Sequence, residues 1–139
     1  MIKRLGAVPA TRHCLDLVEL NRLTDDPNAL AAALRSARKE ADAALHAAFR
    51  AGTDIRELVQ ARAWVIEQLV LTAWERIIPA DSALELVAVG GFGRGELHPH
   101  SDVDLLILLD SDQSAEQHQR ALEYFIQVLW DADLQPGHS

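Results

Sequence analysis

Residues 87–109 read VAVGGFGRGELHPHSDVDLLILL, and this stretch decides the fold. At and just ahead of its start, Leu84, Leu86 and Ala88 alternate with Glu85, Val87 and Val89, a period of two that predicts a largely buried strand running into Gly90 and Gly91. Val103 to Leu109 is apolar on both faces and predicts a second strand, central in its sheet. Only the ten residues 92–101 lie between Gly91 and Asp102. A parallel crossover takes roughly a dozen or more, so the two strands are expected to run antiparallel, the end of the first beside the start of the second.

The same stretch carries the chemistry. Gly90, Gly91, Gly93 and Gly95 fall within six residues, directly after the first strand. Such a run lets the backbone turn sharply and present N–H groups to an anion, which suits a phosphate cradle and equally a tight turn. Glu96 stands where GxGxxG needs its last glycine, and no Lys-Ser or Lys-Thr follows to complete a P-loop. Asp102 and Asp104 are two apart at a strand entrance, so both side chains point to one face. Two unit charges ~4 Å apart repel by about 1 kcal/mol in bulk water and about 4 kcal/mol near a protein surface. A divalent cation offsets that cost, and Mg²⁺ is commonly held by one or two carboxylates with water and substrate phosphate completing its shell. Leu106 and Leu108 occupy the later ligand positions of an EF-hand loop and exclude it. Arg94 can pair with phosphate oxygens or with Glu96. His98 and His100 flank Pro99 and are read as loop residues in a proline turn rather than as a metal site, and His13, His46, His118 and His138 have no ligand spacing.

Upstream of the strands the period is helical. Residues 1–26 form an N-terminal arm in which Leu15, Leu17, Val18 and Leu20 allow a short helix. Asp26 with Pro27 predicts a helix start and Gly52 its stop, with Leu30, Leu34, Ala41, Leu45, Ala48 and Phe49 on one face. Asp54 caps a second helix, its side chain accepting from the third helical N–H while Glu57 reaches back, and Pro79 ends it. Ile55, Leu58, Val65, Leu69, Ala73 and Ile77 make its apolar stripe. Residues 27–79 are thus a helical hairpin turning at 51–53. After the strands, Ser111 or Asp112 caps a third helix with His118, Leu122, Phe125 and Leu129 on one face, and 133–139 leads toward a further strand. Trp64, Trp74 and Trp130 are expected in the core. The fold class is α+β: a helical hairpin, then over 80–139 an incomplete mixed sheet with flanking helices.

Composition narrows the function. Thirteen Lys and Arg against 21 Asp and Glu give a net charge of -8 with no basic cluster, which argues against nucleic acid. Cys14 is the only cysteine, so one chain builds neither a disulfide nor a thiolate zinc site. No apolar run, Leu105 to Leu109 included, comes near the ~20 residues of a membrane span. A cytoplasmic protein is expected.

A glycine pair ending a strand, here Gly90-Gly91, followed by an Asp-hydrophobic-Asp strand, here Asp102-Val103-Asp104, resembles the nucleotidyltransferase fold of the DNA polymerase β superfamily. Within it, GGFGRGELHPHSDVDLLILL and the final LWDADLQPGHS are similar to the family of bacterial PII uridylyltransferase/uridylyl-removing enzymes, the resemblance covering roughly residues 30 to 139. It implies that Asp102 and Asp104 hold Mg²⁺ and that Gly90, Gly91, Gly93, Arg94, Gly95 and Ser101 grip the triphosphate of UTP. Gly91 stands where the superfamily often has serine. A tyrosine hydroxyl of the PII signal protein would attack the α-phosphorus and release pyrophosphate. A third carboxylate, a hydrolase domain and glutamine-sensing domains are implied downstream, so these 139 residues are expected to be an N-terminal fragment, inactive alone. Adenylyl transfer to another protein or a small molecule, and a non-catalytic nucleotide-binding module, stand as alternatives.

Overall fold

In the computed structural model, residues 15–89, 94–95, 103–108 and 116–134 are described. Helix α1 is Leu17–Leu23, capped by Asp16, whose carboxylate accepts from the Glu19 N–H at 3.1 Å. A 3₁₀ turn over Pro27–Ala29 leads into α2, Leu30–Arg50. Helix α3 is Ile55–Ile77. The turn between α2 and α3 closes with the Thr53 N–H donating to the Ala48 carbonyl and Gly52 to Phe49, and Gly52 sits at φ 97°. That is a left-handed helix stop that glycine adopts at no steric cost.

Asp54 caps α3 with a different donor from the one expected. Its carboxylate accepts from Arg56 N–H at 2.8 Å, the second helical residue rather than the third, both within reach of a short aspartate. Nor is α3 a one-striped helix. Leu58, Val59, Trp64, Val65, Ile66, Leu69, Val70 and Trp74 are all buried, because α2, the later helix Gln119–Asp131 and the core beneath the strands enclose it from several sides. Ile55 and Phe49, expected on apolar faces, are 57% and 55% exposed at the hairpin end, beyond the reach of those neighbours.

Strands β1, Glu85–Ala88, and β2, Leu105–Leu108, pair antiparallel with Ala88 opposite Leu105 and Glu85 opposite Leu108. This is the arrangement the short connection required. Among the described residues the sheet has these two strands, so β2 is not central there. Helix α4, Gln119–Asp131, is led in by His118, which makes no side-chain cap. The expected caps Ser111 and Asp112 lie outside the described residues. Phe125, Val128 and Leu129 are buried, and Phe125 meets Trp74 edge-to-face with ring centroids 5.2 Å apart. Trp64 and Trp74 are core as expected, whereas Trp130 is 44% exposed on the outer side of α4. Hairpin, sheet and α4 share one core that joins Leu34 and Leu69 to Leu86, Val103 and Phe125.

Candidate functional site

Register sorts the strand side chains. Leu86 opposite Ile107 and Ala88 opposite Leu105 point to the shared core, so Glu85, Val87, Leu106 and Leu108 lie on the other face. Leu106 and Leu108 are each 43% exposed there. Val103, 2% exposed, points inward, and Asp104, one residue later, takes the outer face in line with Leu106. Its carboxylate is half-buried. Its backbone is tied to the other strand, because Val89 N–H donates to the Asp104 carbonyl at 3.0 Å. The residue entering the glycine run and the second aspartate of the Asp-x-Asp pair are therefore neighbours, as the sequence required.

The remaining candidates divide. Arg94 is exposed in a turn and Gly95 sits at φ 74°, where a side chain would be strained. Gly90, Gly91, Gly93, Ser101 and Asp102 lie outside the described residues, as do His98 and His100. Among the described residues no group of three or more His, Cys, Asp or Glu side chains is placed to hold a metal. Asp104 offers a hard oxygen on the sheet's outer face and has no cationic side chain paired with it among the described residues, a donor of the type divalent cations take. Hollows are also present away from Asp104. One of about 230 Å³ sits at the hairpin end between Leu45, Phe49, Ile55 and Leu58, and it is apolar.

Sequence reasoning missed a charged network beside this unit. Asp42 bonds Arg62 at 2.6 Å and lies 3.6 Å from Arg38, which in turn lies 3.5 Å from Asp133. The i, i+4 spacing of Arg38 and Asp42 was its one local signal. It also missed Glu67, a carboxylate only 3% exposed within α3, which a polar residue inside an apolar helical run could have flagged.

A strand entering a glycine run, an antiparallel return strand opened by aspartate, and a helical flank are consistent with a nucleotidyltransferase domain, and residues 69–135 match the model of the nucleotidyltransferase domain family. Such domains generally use a divalent metal. The chain is homologous to curated bifunctional uridylyltransferase/uridylyl-removing enzymes: it is 50% identical to that of Pseudomonas putida, and 48% to those of Ectopseudomonas mendocina and Pseudomonas aeruginosa. Each match runs over 109 residues, 78% of this chain and 12% of the relative. No solved structure matches. No helix among the described residues is long and apolar enough to cross a membrane.

Proposed function

We propose that this chain supplies the opening half of a site that transfers UMP from UTP to a tyrosine hydroxyl of the PII signal protein in the cytoplasm. The observation that carries the reading is Asp104, held on the sheet's open face against Val89, the residue that enters the glycine run. The match to the nucleotidyltransferase domain family and the similarity to uridylyltransferase relatives support it.

In this reading the N–H groups of Gly90, Gly91, Gly93 and Gly95 hold the triphosphate, with Arg94 and the Ser101 hydroxyl adding donors. Asp102 and Asp104 hold Mg²⁺, which when bound neutralises phosphate charge and lowers the barrier to displacement. The tyrosine oxygen bonds to the α-phosphorus as the bond to pyrophosphate breaks, and the hydroxyl proton passes to a base. The antiparallel pairing contributes orientation: the Val89-to-Asp104 bond fixes the carboxylate relative to the start of the cradle.

The test is Asp104→Asn in the complete protein, with labelled UTP and PII. Transfer should fall on the order of a thousandfold, several kcal/mol of lost stabilisation, while the thermal midpoint stays put, since the substitution deletes one of two repelling charges. Wild-type turnover in the variant would remove Asp104 from the site. Labelling from ATP in place of UTP would replace the uridylyl reading with an adenylyl one, and nucleotide binding without label transfer would leave a regulatory module.

A further inference from the structure

Two helices in this molecule end in the same hydrogen-bond pattern with different residues at the left-handed position. At the end of α2, Gly52 N–H donates to Phe49 and Thr53 to Ala48. At the end of α4, Asp133 N–H donates to Trp130 at 3.0 Å and Leu134 to Leu129 at 2.9 Å. Gly52 takes φ 97° freely; Asp133 takes φ 62° and is the one non-glycine residue with positive φ among those described. A side chain in that conformation persists where surrounding contacts hold it.

The contacts are charged. Asp133 Oδ2 lies 3.5 Å from Arg38 Nη1, Arg38 Nε lies 3.6 Å from Asp42 Oδ2, and Asp42 Oδ1 bonds Arg62 Nη1 at 2.6 Å. The signs alternate from the end of α4 across α2 to α3. The arginines lie beneath, 18% and 17% exposed, and the aspartates above, Asp42 at 39% and Asp133 at 57%. Arg38 Nε and Nη1 are buried without a hydrogen-bond partner, so this arginine reaches Asp133 by charge attraction rather than by a directed bond. Attraction of that kind, to a carboxylate half in water, is the kind that salt screens.

We propose that Asp133, Arg38, Asp42 and Arg62 form a salt-sensitive latch that sets the direction in which the chain leaves α4. Phe125, Val128 and Leu129 hold the helix itself by burial, so the latch governs only the turn through Leu134, which is 1% exposed. Arg38 and Arg62 lie outside the matched segment 69–135, and Asp133 lies at its last turn. The latch thereby ties the hairpin to the last described turn of the matched segment, whichever nucleotide it uses.

The experiment is hydrogen exchange at the Leu134 amide, with the Leu69 amide of α3 as the internal control, at low salt and at about 1 M sodium chloride. In the unmodified chain, protection of Leu134 should fall about two- to fivefold with salt, the worth of a partly exposed ion pair, while Leu69 stays constant. Asp133→Gly, which keeps the turn and removes the charge, should abolish the salt dependence, and so should Arg38→Met. If Arg38→Met also loosens Leu69, Asp133→Asn decides, because it leaves the hairpin untouched. Salt-independent protection in the unmodified chain would overturn the latch, as would an unchanged salt dependence in Asp133→Gly or Asp133→Asn.

Discussion

The α2–α3 hairpin and the β1–β2 pair reach stability by different routes. The hairpin is closed by a glycine stop and an aspartate cap, encloses Leu34, Ala41 and Leu69 at 0% exposure, and ties its helices with the Asp42–Arg62 pair. The strand pair is four residues a side and covers one face only, leaving Leu106 and Leu108 43% exposed. A two-stranded sheet is marginal by itself, and here its inner face leans on the helices while its outer face carries Asp104. The helical part is thus the scaffold and the strand pair the part that leaves one face uncovered.

Four substitutions or conditions can break that division. The largest effect is expected for Leu69→Ala at the centre of α3, where the lost contacts and the cavity should cost about 2–5 kcal/mol in urea unfolding. A cost below that of a surface change would mean the hairpin is not the scaffold. Asp54→Ala removes the bond to Arg56 N–H and should cost about 1 kcal/mol, with the helix signal in circular dichroism slightly reduced. Leu106→Ser, on the open sheet face, should shift stability by no more than about 0.5 kcal/mol while lowering self-association by light scattering. If it unfolds the chain, the outer face is core after all.

The smallest effect is a pH dependence at α1. Chiefly the hydrogen bond from Arg22, and to a lesser degree its charge, hold the Glu19 carboxyl below its usual 4.5 against an opposing desolvation. A lowered folded-state value means the stabilisation is present above pH 4.5 and drains away as pH falls through the depressed value. Both groups are solvent-facing, so the change should be visible in the Arg22 side-chain resonances and nearly absent from the thermal midpoint. A midpoint that responded strongly over that window would place α1 in the scaffold rather than on its edge.

What was legible in the sequence follows from local rules. Period two before Gly90, period 3.6 through 30–77, Gly52, and the ten-residue gap 92–101 depend on neighbours along the chain, and they determined the hairpin, both strands and their antiparallel sense. Other features were decided by contacts distant in sequence. That α3 is buried on several sides, that Trp130 is exposed while Trp74 meets Phe125, and that Asp133 adopts a glycine-like conformation depend on which helices lie alongside, and periodicity carries no information about that. The outward aim of Asp104 was decided the same way. Alternation put it opposite Val103, but only the packing of Val103, Leu105 and Ile107 against the helices determined which of the two faces became core and which stayed open to a ligand, because burial of apolar area is a property of the assembled surfaces and not of the strand alone.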